Sequence, residues 1–486
     1  MRRSVIANLL VLSASSTAAA ADLQVGSGQT YTTVQAAVDA AMPGDNVLVH
    51  AGTYAEDVTA TMVATESARI VIGEAGDGDV IIQGQTTLDG DYWDVQDIEF
   101  QARAGARGFR VRGNHNRLMR IELHGGQLNG VDGSGINNEI LESHIHDFDG
   151  GTADAHCIVL NPGAENWVIR GNELHDCSGD CVQLYADAPT RLIKNTLIEG
   201  NRMYFSGALM RTENAIDVKD ADGLVIFGNE MGGFPDNKVV VFQKGPINID
   251  MQCNVMYDGF TGVEFRQEDG GTVENVIFAR NLMHDYSEYA LKFDGTVNAE
   301  VYNNTFVDIA SDGLRIELAG LDGGSIRNNL WLRTGNVDAG NFDADHNGFF
   351  GVANIGIASP TDVNEDPMLD ANFELGASSP MVDKGVDVGF PFSGAAPDIG
   401  WHEVGLESCS QPGAGGGPAT GSGGASAQSG AGVGGAQSGA GGGADPGDDG
   451  GCSCRHAGQK RDLLPLLLLL GLSTSVRWRR SSRSKR

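Results

Sequence analysis

Several short segments of this 486-residue chain carry a carboxylate and a cationic side chain two positions apart. In TENAIDVKDADG (212–223), Asp217 and Lys219 lie on the same side of an extended strand, because side chains alternate across a strand. An amine at such a position can act as a general base, and clustered carboxylates can bind Ca²⁺. The carboxylate beside Lys219 favours its charged form, which opposes a role as base, whereas bound calcium would reverse part of this effect. The pairing recurs, in either order, at Glu264 with Arg266 and at Lys292 with Asp294.

The strands that carry these pairs align with one another. Seven segments share the same alternation: HCIVLN (156–161), DCVQLY (180–185), NAIDVK (214–219), KVVVFQ (238–243), TGVEFR (261–266), YALKFD (289–294) and DGLRIE (312–317). Their third and fifth positions are apolar and predict two inward rows. The first outward row is then Val159, Gln183, Asp217, Val241, Glu264, Lys292 and Arg315. The second outward row is Asn161, Tyr185, Lys219, Gln243, Arg266, Asp294 and Glu317.

An asparagine recurs every 23 to 29 residues through the same region. It follows an aliphatic pair in segments such as VIRGNELHD, at Asn172, Asn201, Asn229, Asn254, Asn281, Asn304 and Asn329. Each unit is too short for a βαβ crossover, which needs roughly 30 or more residues, and its apolar residues alternate as in strands. We therefore predict an all-β fold, a parallel β-helix of about ten or more coils. The asparagines should stack as a hydrogen-bonded ladder at one corner, where asparagine also tolerates left-handed backbone.

The two ends of the predicted solenoid resemble segments of known proteins. Residues 30–56 predict an amphipathic helix, ended by Pro43-Gly44, that covers the open edges of the first coil. Its apolar face is Val34, Ala37, Val38 and Ala41. This stretch resembles the amino-terminal cap of right-handed parallel β-helix proteins of the pectate-lyase-like group. Residues 366–403, DPMLDANFELGASSPMVDKGVDVGFPFSGAAPDIGWHE, resemble the carboxy-terminal closing segment of many secreted β-helix proteins.

The resemblance implies a polysaccharide lyase that acts by β-elimination on an acidic, uronate-containing glycan. Such a reaction removes the proton beside a uronate carboxylate with a lysine or arginine base, and calcium commonly neutralises that carboxylate. On this interpretation Lys219 and Arg266 are catalytic. The metal ligands are Asp180, Asp217 and Glu264. The substrate-binding residues are Gln183, Tyr185, Gln243, Lys292 and Arg315.

Two other chemistries of this scaffold are disfavoured, and a non-catalytic role is the second hypothesis. The motifs of pectin methylesterases are missing beyond the amino-terminal likeness, and the NTD, GHG and RIK strings of polygalacturonases are absent. The alternative is a surface β-helix that binds glycan or mediates adhesion. If Asp217, Lys219, Glu264 and Arg266 converge in a cleft, the enzyme is favoured. If they form pairs on an open face, the binding protein is favoured.

Composition and the chain ends predict export. The net charge of −31, without a basic stripe, excludes nucleic acid as a partner, and we expect a monomer. Residues 1–21 are typical of a secretory signal peptide, and 22–408 form the β-helix domain. A Gly/Ala/Ser-rich linker follows at 409–451. Residues 452–486, with a Cys motif, a hydrophobic run and a basic end, resemble myxobacterial sorting signals. This implies display on the outer membrane of a Gram-negative bacterium, with membrane contact only through the tail.

Export permits disulfide bonds. Five cysteines precede the tail: Cys157, Cys177, Cys181, Cys253 and Cys409. Cys157 and Cys181 hold the same aligned position on successive coils and should be close neighbours, and Cys177 is another candidate partner. The loop at 147–156 is acidic and rich in glycine, and loops on a rigid scaffold often carry functional residues.

Overall fold

The computed structural model describes residues 20–317, 322–338, 340–406 and 409. The sorting signal, the predicted linker after Cys409 and nearly all of the signal peptide lie outside these residues. In the part of the chain that the structure describes, no helix is long and apolar enough to cross a membrane. Export and surface display therefore stay predictions.

The described residues fold as a right-handed parallel β-helix of about 12 turns, which confirms the predicted fold class. The coils contribute strands to three parallel sheets. Side chains alternate along each short strand, so every second side chain is buried inside the solenoid. The first sheet contains the strands Asp22–Val25, Asn46–Val49, Ile70–Glu74, Trp93–Gln96, Arg117–Met119, Glu139–Leu141, Val168–Arg170, Lys194–Glu199, Asp222–Phe227, Ile247–Gln252, Glu274–Ala279, Val297–Tyr302, Asp322–Arg327 and Asp343–Asp345.

The second and third sheets join where long strands bend through the corner between them. These long strands are Glu230–Phe242, Val255–Arg266, Thr305–Glu317 and Leu330–Val337. The other strands of the second sheet are Gly52–Tyr54, Val80–Gln83, Glu99–Gln101, Glu122–Gly126, His144–Phe148, Glu173–Cys177, Arg202–Tyr204, Leu282–Tyr286 and Gly348–Phe350. The other strands of the third sheet are Val58–Ala60, Thr86–Leu88, Phe109–Val111, Val131–Gly133, Ile158–Leu160, Val182–Leu184, Ile216–Val218, Tyr289–Asp294 and Asn354–Ile355.

The register of the third sheet confirms the predicted rows. Each member of the first outward row, from Val159 to Arg315, pairs with the next. The apolar residues between them are buried, and Phe242, Phe265 and Phe293 stack inside the solenoid with ring centroids 4.5 and 5.1 Å apart. The rigid ladder therefore fixes which outward side chains are neighbours.

The predicted asparagine ladder is present and buried. The Oδ1 of Asn254 accepts from the backbone N–H and the Nδ2 of Asn229, at 3.0 and 2.9 Å. The backbone N–H and Nδ2 of Asn254 donate in turn to Asn281 Oδ1, both at 3.0 Å. This pattern runs from Asn172 through Asn329 to Asn347, whose backbone N–H donates to the carboxylate of Asp362.

The left-handed backbone that asparagine tolerates is not used at the ladder positions themselves. The left-handed residue is the one that precedes each of them: Gly171, Gly200, Gly228, Cys253, Arg280, Asn303 and Asn328. The reason is geometric, since the chain turns the corner before the ladder position. The asparagine itself can then lie with its amide inside the solenoid.

Both ends are closed as predicted. The helix Val34–Ala40 packs Val34, Ala37 and Val38 onto the first coils, and the carboxylate of Glu56 accepts from the backbone N–H of Val34 at 2.8 Å. At the other end, Asn328 donates to the backbone of Val386 in the closing segment at 2.8 Å. Asp398 and Glu403 accept backbone N–H groups of this segment, which is a structural role.

Two disulfide bonds are formed, Cys157–Cys177 and Cys253–Cys409. Cys181 is a buried free thiol. Cys157 and Cys181 hold equivalent positions on successive coils, but they are not bonded to each other. Cys157 bonds instead to Cys177, which ends the second-sheet strand of the following coil.

Candidate functional site

A buried polar network lies on the first outward row, where two carboxylates share one glutamine. Gln183 Nε2 donates to Asp180 Oδ2 at 3.0 Å and to Asp217 Oδ2 at 3.3 Å. Gln243 Nε2 donates to the other oxygen of Asp217 at 2.6 Å. Asp180 is fully buried, and Asp217 is 3% exposed. Sequence-predicted Asp180, Gln183, Asp217 and Gln243 are thus brought together.

Lys219 borders this network. Its Nζ lies 2.9 Å from Asp217 Oδ2 and 5.8 Å from the centre of the Tyr185 ring, so the lysine bridges the two outward rows. Burial lowers the pKa of Lys219, but the charges of Asp217 and Asp180 outweigh burial and raise it. Without a further cation, the ammonium form is therefore favoured.

Loops at the corner between the second and third sheets add a histidine and two carboxylates. The Nδ1 of His156 lies 2.8 Å from the backbone nitrogen of Asp180 and 3.1 Å from its Oδ2. Arg211 holds Glu213 at 2.8 Å and also contacts Asp154. Burial lowers the pKa of His156, yet the hydrogen bond and charge of Asp180 raise it overall.

The sequence reasoning did not find Asp154, Arg211 or Glu213. Asp154 lies in the acidic loop at 147–156, which was a usable signal. Arg211 and Glu213 lie just before the strand Ile216–Val218, outside the aligned segments, so no row position marked them.

The carboxylates at this site have the chemistry of a calcium site but not its geometry. Asp180, Asp217 and Glu213 carry the oxygen ligands that Ca²⁺ prefers, but these three side chains do not bring their oxygens within 4.8 Å of one another. Burial, and after it the charge of Asp180, raises the pKa of both Asp217 and Glu213. Burial also acts to raise the pKa of Asp180, but the hydrogen bond and charge of His156 lower it overall. A cation would relieve the repulsion of Asp217 and Glu213 by Asp180.

The remaining predicted residues form a separate group. Val241 lies between Asp217 and Glu264 on the first outward row. Glu264 is bound instead by Lys292 at 2.9 Å and by Lys238 at 3.3 Å. Glu264 is therefore not gathered with Asp180 and Asp217 as a third metal ligand.

The two predicted arginines are also paired. Arg266 binds Glu268 at 2.6 Å and the Oε1 of Gln243, which links it indirectly to Asp217. Arg315 binds Glu317 at 2.6 Å. The four residues expected to converge or to pair are thus held in separate ion pairs: Asp217 with Lys219, Glu264 with Lys292, and Arg266 with Glu268. Asp217 and Glu264 lie on the buried first row, and Lys219 and Arg266 on the partly exposed second row.

Comparison with known proteins supports the fold. A family model described as a right-handed beta helix region matches residues 81–243. A pectate disaccharide-lyase of Dickeya chrysanthemi is 29% identical over 168 residues, which is 31% of this chain and only 22% of that enzyme. The chain thus spans less than a quarter of this relative.

Several solved structures are similar to this chain at low sequence identity. A mutant of the PL6 family alginate lyase AlyGC has a TM-score of 0.54 and 14% identity, over 80% of this chain and 59% of that chain. Pectate lyase Pel9A has a TM-score of 0.42 and 17% identity, over 79% and 97% of the two chains. The surface adhesin PfbA of Streptococcus pneumoniae has a TM-score of 0.47 and 12% identity, over 66% and 87%. Of these three likenesses, that to AlyGC has a TM-score above 0.5, and at 14% identity it shows the fold alone.

Proposed function

We propose that this chain is a secreted polysaccharide lyase that cleaves a uronate-containing glycan by β-elimination. One observation carries the proposal: Lys219 lies at the edge of a buried carboxylate pair, 2.9 Å from Asp217, on an outward row of the solenoid. The part of the chain similar to a pectate disaccharide-lyase supports the same substrate class.

In this mechanism the glycan lies along the second outward row, where Tyr185, Lys219 and Arg266 are partly exposed. If Asp180, Asp217 and Glu213 are drawn together around calcium, the ion would neutralise the uronate carboxylate and make the proton at C5 more acidic. In its neutral form, which a bound cation would favour, Lys219 takes that proton on Nζ, the C4–O bond breaks, and a C4=C5 double bond forms. The leaving oxygen gains a proton from solvent and Lys219 returns its proton to solvent, so the sum is elimination without water uptake.

The other predicted residues then orient the substrate. Gln183 and Gln243 fix the rotamer of Asp217 from both sides. Tyr185 offers a ring beside Lys219 on which a sugar can stack, and Arg266, as a fixed cation near Gln243, can bind a second uronate. Lys292 and Arg315 extend the first outward row further along the solenoid.

The first test is calcium-dependent formation of the unsaturated product. We expect ultraviolet absorbance of the conjugated uronate to rise when the protein is mixed with one of pectate, alginate or glycosaminoglycans in calcium. A chelator should lower the rate by about 10-fold or more, because the metal supplies charge stabilisation in the transition state. A neutral glucan serves as control polymer. If no acidic polymer yields product in calcium, the lyase proposal fails.

The second candidate function is non-catalytic glycan binding or adhesion at the cell surface. It is favoured by the ion pairs among Glu264, Lys292, Arg315 and Glu317. Because these charges already pair with one another, they form a fixed polar surface. Retention on an immobilised polymer without product would support it. The sorting tail and a monomeric state belong to the same proposal and are tested by cell fractionation and by light scattering.

A further inference from the structure

Three histidines converge on the second sheet, apart from the carboxylates of the third. His144 and His146 are two positions apart on the strand His144–Phe148 and share its outward side. His175 pairs directly with His146 on the next coil. One ring nitrogen from each of the three residues lies within 4.8 Å of the others, and all three side chains are half-buried.

Two of these rings are held in one tautomer by the aspartate that follows each of them. Asp147 Oδ2 lies 3.0 Å from His146 Nδ1, and Asp176 Oδ2 lies 2.7 Å from His175 Nδ1. Both aspartates have left-handed backbone, which turns each carboxylate back onto the preceding ring. An Nδ1–H donated to a carboxylate leaves the Nε2 lone pair free and makes it more basic, as in the outer shell of many metal-bound histidines.

The third histidine completes the cluster. His144 Nε2 lies 2.8 Å from His175 Nε2, so in the metal-free state His144 donates to the lone pair of His175. Glu122 Oε1 is 3.4 Å from His146 Nε2. Glu173, on the register of His144, is bound by Arg202 at 3.1 Å and by Tyr204 at 2.9 Å.

We propose that His144, His146 and His175 bind a divalent transition-metal ion, with zinc as its representative, through their Nε2 atoms. Imidazole nitrogens suit zinc, nickel or copper, whereas calcium prefers oxygen. Tetrahedral zinc with Zn–N bonds of about 2.0–2.1 Å needs nitrogens about 3.3 Å apart. His144 therefore has to give up its hydrogen bond, and its Nε2 and that of His175 have to separate by about half an ångström. Glu122 or water takes the fourth position.

This site is distinct from the carboxylate site in chemistry, and it does not rest on the lyase proposal. It also joins two successive coils, because His146 and His175 belong to neighbouring strands. A metal that binds only the folded state stabilises it. Zinc is thus expected to raise the thermal midpoint of the full chain.

The test uses the full chain without a histidine tag, in saturating calcium so that oxygen sites are filled. Zinc is titrated against a chromogenic chelator, and we expect one zinc per chain. His175→Ala and His146→Ala should each weaken binding by about 10- to 100-fold or more. Cobalt, substituted for zinc in the wild-type chain, should give the visible absorption bands of nitrogen coordination.

The chain offers a matched control in His284. It too is followed by a left-handed aspartate, with its Nδ1 2.7 Å from Asp285, and it too stacks on an aromatic ring. It has no cluster of further imidazoles among the described residues. His284→Ala should leave zinc affinity unchanged. The proposal is overturned if the wild-type chain binds no zinc, or if His175→Ala and His146→Ala bind zinc with wild-type affinity. It is also overturned if the cobalt spectrum shows oxygen ligands alone.

Discussion

Replacing Lys219 with alanine is expected to lower kcat for uronate elimination by about 10²- to 10⁴-fold, the usual contribution of a general base. The loss arises because no other amine of the described chain lies within salt-bridge distance of Asp217. The rate of double-bond formation in calcium, measured at saturating substrate, gives the effect directly.

Two controls make this result specific. Lys194→Ala removes an exposed lysine from the first sheet and should keep wild-type kcat. Circular dichroism and the thermal midpoint should show that Lys219→Ala is folded, since Gln183 and Gln243 still bind Asp217. A folded Lys219→Ala with wild-type kcat would exclude Lys219 as the base and direct attention to His156.

Replacing Asn254 with alanine is expected to lower the free energy of unfolding by about 3 kcal/mol or more, since each buried polar group left unpaired costs about 1–3 kcal/mol. The substitution removes the acceptor for two donors of Asn229. It also removes the donor to the backbone carbonyls of Ile226 and Gln252. Urea unfolding measures the total, and hydrogen exchange at Asn229 measures the local loss.

The exposed ladder of the same coils supplies the comparison. Asn275 Nδ2 donates to Asn248 Oδ1 at 3.0 Å, but these side chains are exposed to water. Asn275→Ala should cost only about 1 kcal/mol, mainly because its left-handed backbone disfavours alanine. Equal losses from Asn254→Ala and Asn275→Ala would mean that burial does not set the strength of the ladder.

The sequence was sufficient for the parts of the fold that repeat. Strand alternation and the recurring asparagine are local signals, and a parallel ladder copies them from coil to coil. The order of the first outward row, from Val159 to Arg315, followed from this alone. The neighbours of Asp217 along the row could therefore be predicted without coordinates.

The parts that depend on irregular loops were not predictable. Glu213 approaches Asp180 only because the chain between the second and third sheets bends over the corner, and no period encodes such a bend. Glu264 was placed correctly in its row, yet its partner is Lys292, because side-chain rotamers decide which neighbours pair. The disulfide Cys157–Cys177 likewise depends on the path around a corner.

The buried asparagine ladder also gives the solenoid a dipole along its axis. The side-chain oxygen of each ladder asparagine from Asn201 to Asn329 accepts from the preceding asparagine of the ladder, so the C=O dipoles share one axial direction. The Nδ2 of a ladder residue such as Asn229 donates both to the next asparagine and to a backbone carbonyl of the preceding coil. Aligned amides polarise one another, which strengthens the chain as it lengthens. The positive end of the ladder is at Asn347, whose backbone N–H donates to the carboxylate of Asp362. A carboxylate accepts hydrogen bonds but has no N–H with which to continue the ladder. The two ends of the asparagine ladder therefore differ in partial charge, and the ladder ends at Asp362.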